Sequence, residues 1–194
     1  MRDSYRVGGI AGYNSGTIKN CYTAASVSGT ANGTQGTGTN VYTGGIAGQN
    51  DGMIENCYAL GDVSATASFN KYVGGIAGAN VTGGTVRNCV ALNGGLNTDG
   101  YGNNHFCRVA YNANGGSLTN NYGWIDMARV PSGSWSDNAN WVNAGTDRAD
   151  GAHCDSKPDD ATFWKVLTTW DTTNGAAWDF SSVWIMGSDY PQFM

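Results

Sequence analysis

The residues of this chain that could carry chemistry are few and unevenly placed. Glu55 is the one glutamate among fifteen acids, His105 and His153 are the only histidines, and the cysteines are Cys21, Cys57, Cys89, Cys107 and Cys154. A zinc peptidase would need His-Glu-x-x-His on one helical face, and Glu55 has no histidine near it. A glycoside hydrolase needs two facing carboxylates. A polysaccharide lyase wants a calcium-binding acid cluster beside a basic residue. Lys19, Glu55 and Arg87 alone supply neither. No Gly-x-Ser-x-Gly elbow is present, and the glycine clusters lack the lysine and helix start of a phosphate loop.

Metal and thiol chemistry have narrower openings. Asp147, Asp150 and Asp155 lie in an acid-rich stretch with His153 and Cys154. Closely spaced oxygens of this kind suit Ca2+, although the spacing is not that of an EF-hand. The competing reading is a solvated loop whose Asp159 or Asp160 caps a helix. No other cofactor is expected. The cysteines show no Cys-x-x-Cys, and one thiol per ~32 residues is not zinc spacing. A column of small buried thiols explains Cys21, Cys57 and Cys89 better, and Cys107–Cys154 is the one pair to consider for a bridge.

These residues recur because the chain repeats itself. Val7-Gly-Gly-Ile-Ala-Gly12, Thr43-Gly-Gly-Ile-Ala-Gly48 and Val73-Gly-Gly-Ile-Ala-Gly78 are each followed by an aliphatic, a variable residue, Asn, Cys and a further apolar residue. A fourth copy is degenerate: Arg108 and Tyr111 stand at glycine positions and Asn121 at a cysteine position. Asn20, Asn56, Asn88 and Asn120 phase the copies at steps of 36, 32 and 32 residues. Short extended segments, Asn/Asp/Ser-Gly turns and a step in this range point to a parallel solenoid with one repeat per coil. The expected fold is all-β: a short right-handed parallel β-helix (β-solenoid) of about four coils over residues 1–122, with a capping region over residues 123–194.

In such a stack equivalent residues lie ~4.8 Å apart. Ile10, Ile46, Ile76 and Val109 make one aliphatic column, and Ile18, Ile54, Val86 and Leu118 another. The Gly-Gly-x-x-Gly glycines allow positive φ or close backbone approach. The Asn column suits solenoid corners, because Asn tolerates the left-handed conformation and its amides can bond one another. Lys19, Glu55, Arg87 and Thr119 read as an outward charge column worth a few tenths of a kcal/mol per pair.

Insertions of unequal length separate the copies, and such insertions tend to gather on a binding face. The stretch 66–72 carries Phe69 and Tyr72. The stretch 93–106 carries Tyr101, His105 and Phe106. All seven tryptophans lie beyond Gly123. Phe163, Val166, Leu167 and Trp170 have helical spacing after Pro158, which predicts one short helix in the cap. Most of the tryptophans are expected to form the cap's core. Trp135 and Trp141, in a polar stretch, are candidates for exposed binding aromatics.

Composition excludes further classes. The net charge is -5 and the pI about 4.7, with no basic stripe for nucleic acid. No apolar run approaches the ~20 residues of a membrane span, and the residues before the first repeat are not expected to act as a signal peptide.

The unit Gly-Gly-Ile-Ala-Gly…Gly-x-Ile-x-Asn-Cys-Tyr resembles the GLUG repeat over about residues 7–122. The ending Trp178-Asp-Phe-Ser-Ser-Val-Trp184…Tyr190-Pro191 is similar to a segment that follows such repeats in gut-bacterial surface proteins. The resemblance implies a β-helical scaffold in a bacterial secreted or surface-anchored protein, adhesin-like, and no catalytic residue. Some repeats of this kind are non-catalytic spacers in immunoglobulin A-cleaving peptidases. It implies an extracellular location and, as partner, a host or matrix protein or a glycan. The alternatives are a carbohydrate-binding module using Tyr101, Phe106, Trp135 or Trp141 as platforms, and a β-helical carbohydrate-active enzyme.

Overall fold

The computed structural model describes residues 4–31, 38–100, 102–112, 115–130, 152–154, 178, 182–187 and 191–194. The first coil is built from β1 (Ser4–Gly8), β2 (Ala11–Asn14), β3 (Thr17–Lys19), β4 (Tyr22–Thr23) and β5 (Val27–Thr30). The second has β6 (Asn40–Gly44), β7 (Ala47–Asn50), β8 (Met53–Glu55), β9 (Tyr58–Ala59) and β10 (Val63–Thr66). The third has β11 (Asn70–Gly74), β12 (Ala77–Asn80), β13 (Thr85–Arg87), β14 (Val90–Ala91) and β15 (Gly95–Thr98). The fourth has β16 (Asn103–Cys107), β17 (Ala110–Asn112), β18 (Ser117–Thr119), β19 (Tyr122–Trp124) and β20 (Ala128–Val130). Each strand pairs in parallel with its equivalent one coil away, so five parallel sheets wrap one core. The fold is a β-solenoid of about four turns, one repeat per coil. No helix occurs among the described residues, and the expected helix around 163–170 lies outside them.

The columns read from the repeat are the columns of the structure. Ile18, Ile54, Val86 and Leu118 are register partners, as are Ala11, Ala47, Ala77 and Ala110. Ile46, Ile76 and Val109 are fully buried in the common core. Asn20, Asn56, Asn88 and Asn120 are the only non-glycine residues with positive φ among those described, at 52–56°. Their amides bond in series: Asn56 Nδ2 donates to Asn20 Oδ1, Asn88 to Asn56 and Asn120 to Asn88. A left-handed residue turns the chain sharply, and Asn accepts it at least cost after Gly.

A second, largely buried ladder lies at the preceding corner, between the second and third strands of each coil. Asn14 Nδ2 donates to Asn50 Oδ1, Asn50 to Asn80 and Asn80 to Asn112, at 2.7, 2.9 and 3.3 Å. The same amides reach backbone carbonyls of the adjoining strand, such as Thr85 and Ser117. These asparagines look like ordinary turn residues in the sequence, yet Asn50 and Asn80 have no exposed surface. The glycines of the repeat do not use positive φ. They are there for close approach: a Cβ on Gly44 or Gly74 would collide with the carbonyl oxygen of Ala47 or Ala77.

The fourth coil is altered where it ends the stack. Its second strand is one residue shorter, because Ala79 pairs with Tyr111 after Ala77 has paired with Ala110. Tyr111 therefore replaces no glycine; the glycine is missing. Arg108 takes the place of Gly75, whose neighbour is Ala91. Gly123 takes the place of Ala91, and the buried Arg108 donates from Nη1 to the Gly123 carbonyl at 2.8 Å. Removing a methyl thus accommodates the guanidinium. Asn121, in place of a cysteine, accepts from the Cys89 amide and donates to the Val86 carbonyl.

Lys19, Glu55, Arg87 and Thr119 do share a column, but it is not a plain surface ladder. Glu55 is only 1% exposed, enclosed by Lys19 Nζ at 2.6 Å below and the Arg87 guanidinium above. Burial alone would raise its pKa. The hydrogen bonds from Lys19 and Arg87 outweigh that and hold the carboxyl below its usual value. Removing one partner of a carboxylate enclosed in this way costs more than breaking an exposed pair.

The described part of the tail does two things. β21 (Ala152–Cys154) adds a fifth rung to the fourth sheet above β19. The antiparallel hairpin of β22 (Trp184–Met186) and β23 (Pro191–Phe193) lies against the outer face of that sheet. Trp178 and Trp184 are buried there against Tyr58 and Val90. Trp178 Nε1 donates to the Asn88 carbonyl at 3.0 Å, and Tyr58 Oη to that of Pro191 at 2.6 Å. These tryptophans are core, as expected, but they cover a side of the solenoid.

Two measurements check this account. Asn56→Ala should cost about 2–3 kcal/mol, combining left-handed strain with broken ladder bonds. Asn56→Gly should be milder by about 1 kcal/mol in denaturant unfolding, since Gly removes the strain alone. Equal losses would mean that positive φ is not the constraint. Glu55→Gln should destabilise by about 1–3 kcal/mol at pH 7. A lowered folded pKa gives stability that is complete above the ordinary carboxylate pKa of about 4.3 and is lost as pH falls through the lower folded value. The gap between wild type and variant should therefore close in acid, below about pH 4, when melting is followed against pH.

Candidate functional site

Among the described residues, the outward-facing side chains that differ from coil to coil gather where the first sheet turns into the second. Strands β1, β6, β11 and β16 place Arg6, Tyr42, Tyr72 and His105 in one outer column. Strands β2, β7, β12 and β17 place Tyr13, Gln49, Ala79 and Tyr111 in the next. The two columns touch across the corner, where Gly12, Gly48 and Gly78, inside β2, β7 and β12, let the backbones of the two sheets approach closely. The Arg6 guanidinium lies 5.5 Å from the Tyr13 ring centre and donates to Gln49 Oε1. Tyr13 Oη donates to Asp51 at 2.7 Å, a bond that raises the phenol's pKa.

Higher up, the rings stack. Tyr42 and Tyr72 have centroids 4.6 Å apart and planes within 5°, and Tyr72 and His105 repeat this at 4.6 Å and 6°. Tyr111 leans on both Tyr72 and His105 at 4.9 Å. Partial burial lowers the His105 pKa and raises that of Tyr72, so both are neutral near pH 7. The result is a Tyr/Arg/His strip four coils long. Its ring edges and Tyr13 face outward, while both faces of Tyr72 are occupied.

The sequence candidates fall as follows. Tyr72 and His105 are in the strip, on strands and not in inter-coil loops. Phe106 is also on β16, and its side chain packs against the core. Phe69 lies at the corner before β11, where its carbonyl accepts from Asn103 N. The corner also holds the buried Lys71, whose Nζ is 3.1 Å from Asp99. Tyr101, Trp135, Trp141, Asp147, Asp150 and Asp155 lie outside the described residues. Sequence reasoning missed Tyr42, Tyr111, Tyr13 and Arg6. The available signal was a shared offset, since Tyr42, Tyr72 and His105 each stand two residues before a strand's last position, Gly44, Gly74 and Cys107.

The thiols offer little reactivity. Cys57 and Cys89 are fully buried, and Cys21, Cys57 and Cys89 each donate to the carbonyl two residues earlier. The hydrogen bond with Cys57 raises the Cys21 pKa, and burial raises that of Cys57. A thiol kept protonated is a poor nucleophile and a poor metal ligand. Cys107 is on the first sheet and Cys154 on the fourth. No cluster of three metal-ligating side chains occurs among the described residues.

Comparison with curated proteins and with solved structures returned no match. A model of the GLUG motif matches three times, over residues 3–28, 39–64 and 69–93. These spans coincide with the first three coils and stop before the fourth, where Arg108, the missing glycine and Asn121 break the pattern. The chain carries three GLUG repeats, and each of them is one coil of a β-solenoid.

Proposed function

We propose that this chain is a non-catalytic structural and adhesive module of a bacterial secreted or cell-surface protein, binding a host or matrix protein outside the cell. The repeated residues are spent on stacking, which supports a scaffold role. The observation that carries the adhesive reading is the strip of Arg6, Tyr13, Tyr42, Tyr72, His105 and Tyr111. Tyr and Arg are the residue types most enriched at protein–protein hot spots, and here a rigid sheet corner aligns them over four coils. A rigid array loses little side-chain entropy on binding.

A sugar platform needs a ring face open to the pyranose. Tyr72 has none, because Tyr42 and His105 cover both. That weighs for a protein partner at the strip. A carbohydrate-binding reading would rest on Tyr101, Trp135 or Trp141.

The test is parallel screening of the chain against arrayed glycans and immobilised extracellular-matrix and mucosal proteins. Binding to a protein target should weaken at least about tenfold, or 1.4 kcal/mol, in Tyr72→Ala and Tyr13→Ala, with Trp135→Ala unaffected. A glycan signal abolished by Tyr101→Ala or Trp135→Ala would instead establish the carbohydrate-binding module. Turnover of an acidic polysaccharide that stops in Glu55→Gln would overturn the non-catalytic reading.

A further inference from the structure

The aromatic strip lies on the side wall of the solenoid and has a fixed period along the axis. Tyr42, Tyr72 and His105 stack nearly parallel in two steps of 4.6 Å. Their column, begun by Arg6, crosses all four coils. The polar groups beside it are unevenly used. Asp51 accepts from Tyr13 Oη and from Gln49 Nε2, and Gln49 Oε1 accepts from Arg6 Nε. These acceptors are therefore taken within the chain, and the Arg6 charge is matched by that of Asp51. Donors remain. A guanidinium carries five N–H groups and a neutral imidazole carries one. Tyr72 Oη accepts from the Asn70 side chain, which leaves its own O–H to donate.

We infer that the partner segment at this strip is a single proline-rich, uncharged chain in the polyproline II conformation, lying along the solenoid axis; the inference deepens the adhesive reading and rests on it for the site. The period selects this occupant. Two steps of the ring stack advance about 9.2 Å, and one turn of polyproline II, three residues at 3.1 Å, advances about 9.3 Å. Every third residue of such a chain meets an equivalent ring without drifting out of phase. Other regular backbones do not keep step with the stack, because an α-helix repeats at about 5.4 Å and one face of a strand at about 6.8 Å. Four rungs at ~4.8 Å cover about 14 Å, which is about five residues of polyproline II. Polarity selects the same occupant. Polyproline II makes no internal hydrogen bonds, so its carbonyls are open to accept, and proline has no N–H to leave unpaired. A ligand that only accepts complements a surface whose acceptors are occupied and whose donors are not. The balance of Arg6 against Asp51 asks for no charge on the partner. Prolyl rings can pack on the Tyr13 ring, 49% exposed, and along the ring edges of the stack. Aromatic-lined surfaces recognise such segments by this kind of contact, and the preformed ligand has little entropy to lose.

The experiment is calorimetric titration of the whole chain with decaproline, beside a Gly/Ser peptide of equal length and a triple-helical Pro-Pro-Gly peptide. Decaproline should bind at least about tenfold more tightly than the Gly/Ser peptide. Tyr72→Ala and Tyr13→Ala should each weaken it at least about tenfold. Tyr72→Phe keeps the ring and loses the donor, and should weaken it about threefold. Ile185→Asp, on the exposed hairpin, should leave it unchanged. A thermal melt confirms that each variant is folded. In the wild type, decaproline should move the amide NMR signals of the first and second sheets and spare the third, a readout independent of any substitution. No binding of decaproline, equal binding of the Gly/Ser peptide, binding of the triple helix alone, or indifference to both alanine substitutions would each overturn the proposal. A matrix protein held through Tyr72 and Tyr13 that decaproline does not displace would overturn it too, and would leave the adhesive reading standing. Decaproline bound at the strip with no arrayed protein captured would support it and sink the adhesive reading alone.

Discussion

Parallel stacking in constant register makes every side chain meet its own equivalent one rung away. That single constraint selects the residue types of this solenoid. Aliphatic groups satisfy it because like packs on like. Amides satisfy it because each carries a donor and an acceptor, so an asparagine can give to one neighbour and take from the other. Aromatic rings satisfy it by stacking, as Tyr22 does on Tyr58 with centroids 5.0 Å apart. Ionised groups cannot satisfy it alone. The charged column alternates Lys19, Glu55, Arg87, and the middle carboxylate is desolvated only because a cation closes it on each side.

The same constraint explains why departures from the repeat cluster at one end. A rung with no like neighbour above must satisfy itself by other means. Arg108 turns to the Gly123 carbonyl, and Asn121 turns back to the backbone of the third coil. Changes that look like decay in the repeat are compensated in pairs, an arginine for a glycine facing a glycine for an alanine. The first coil carries no such alterations; Ile18 and Val27 are buried there, but Ile10 stays 44% exposed.

The coil architecture and its columns were legible because a period of 32–36 residues, applied to Ile, Ala, Asn and Cys, already states which side chains are neighbours. The left-handed Asn corners followed from the chemistry of asparagine. Three things were not legible, each for a physical reason. The Asn14–Asn112 ladder was hidden because Asn-Ser-Gly and Asn-Asp-Gly are also what an exposed turn would use. The burial of Glu55 depends on two long side chains folding over it, which register alone does not report. The aromatic strip was read as loop because the stretches before Asn40, Asn70 and Asn103 differ in length, and this masks the constant offset of Tyr42, Tyr72 and His105. The tryptophans declared a core by composition, but composition cannot say which face of a solenoid a returning tail will cover.

Catalysis usually requires unlike groups held close, an acid by a base or a nucleophile by its activator. A ladder of equivalents opposes this, because neighbours in a column share a chemical type. The charge column is the clearest exception among the described residues, and there the carboxylate is buried and its oxygens are taken by Lys19 and Arg87. What a ladder does well is to present one kind of surface over a long distance at a fixed spacing. Along the first and second sheets that surface is made of tyrosine edges, an imidazole and a guanidinium, varied from coil to coil because outward residues escape the packing demand. Freedom to vary on a rigid frame is what a binding surface needs, and it is the physical ground on which the proposed recognition at that corner rests.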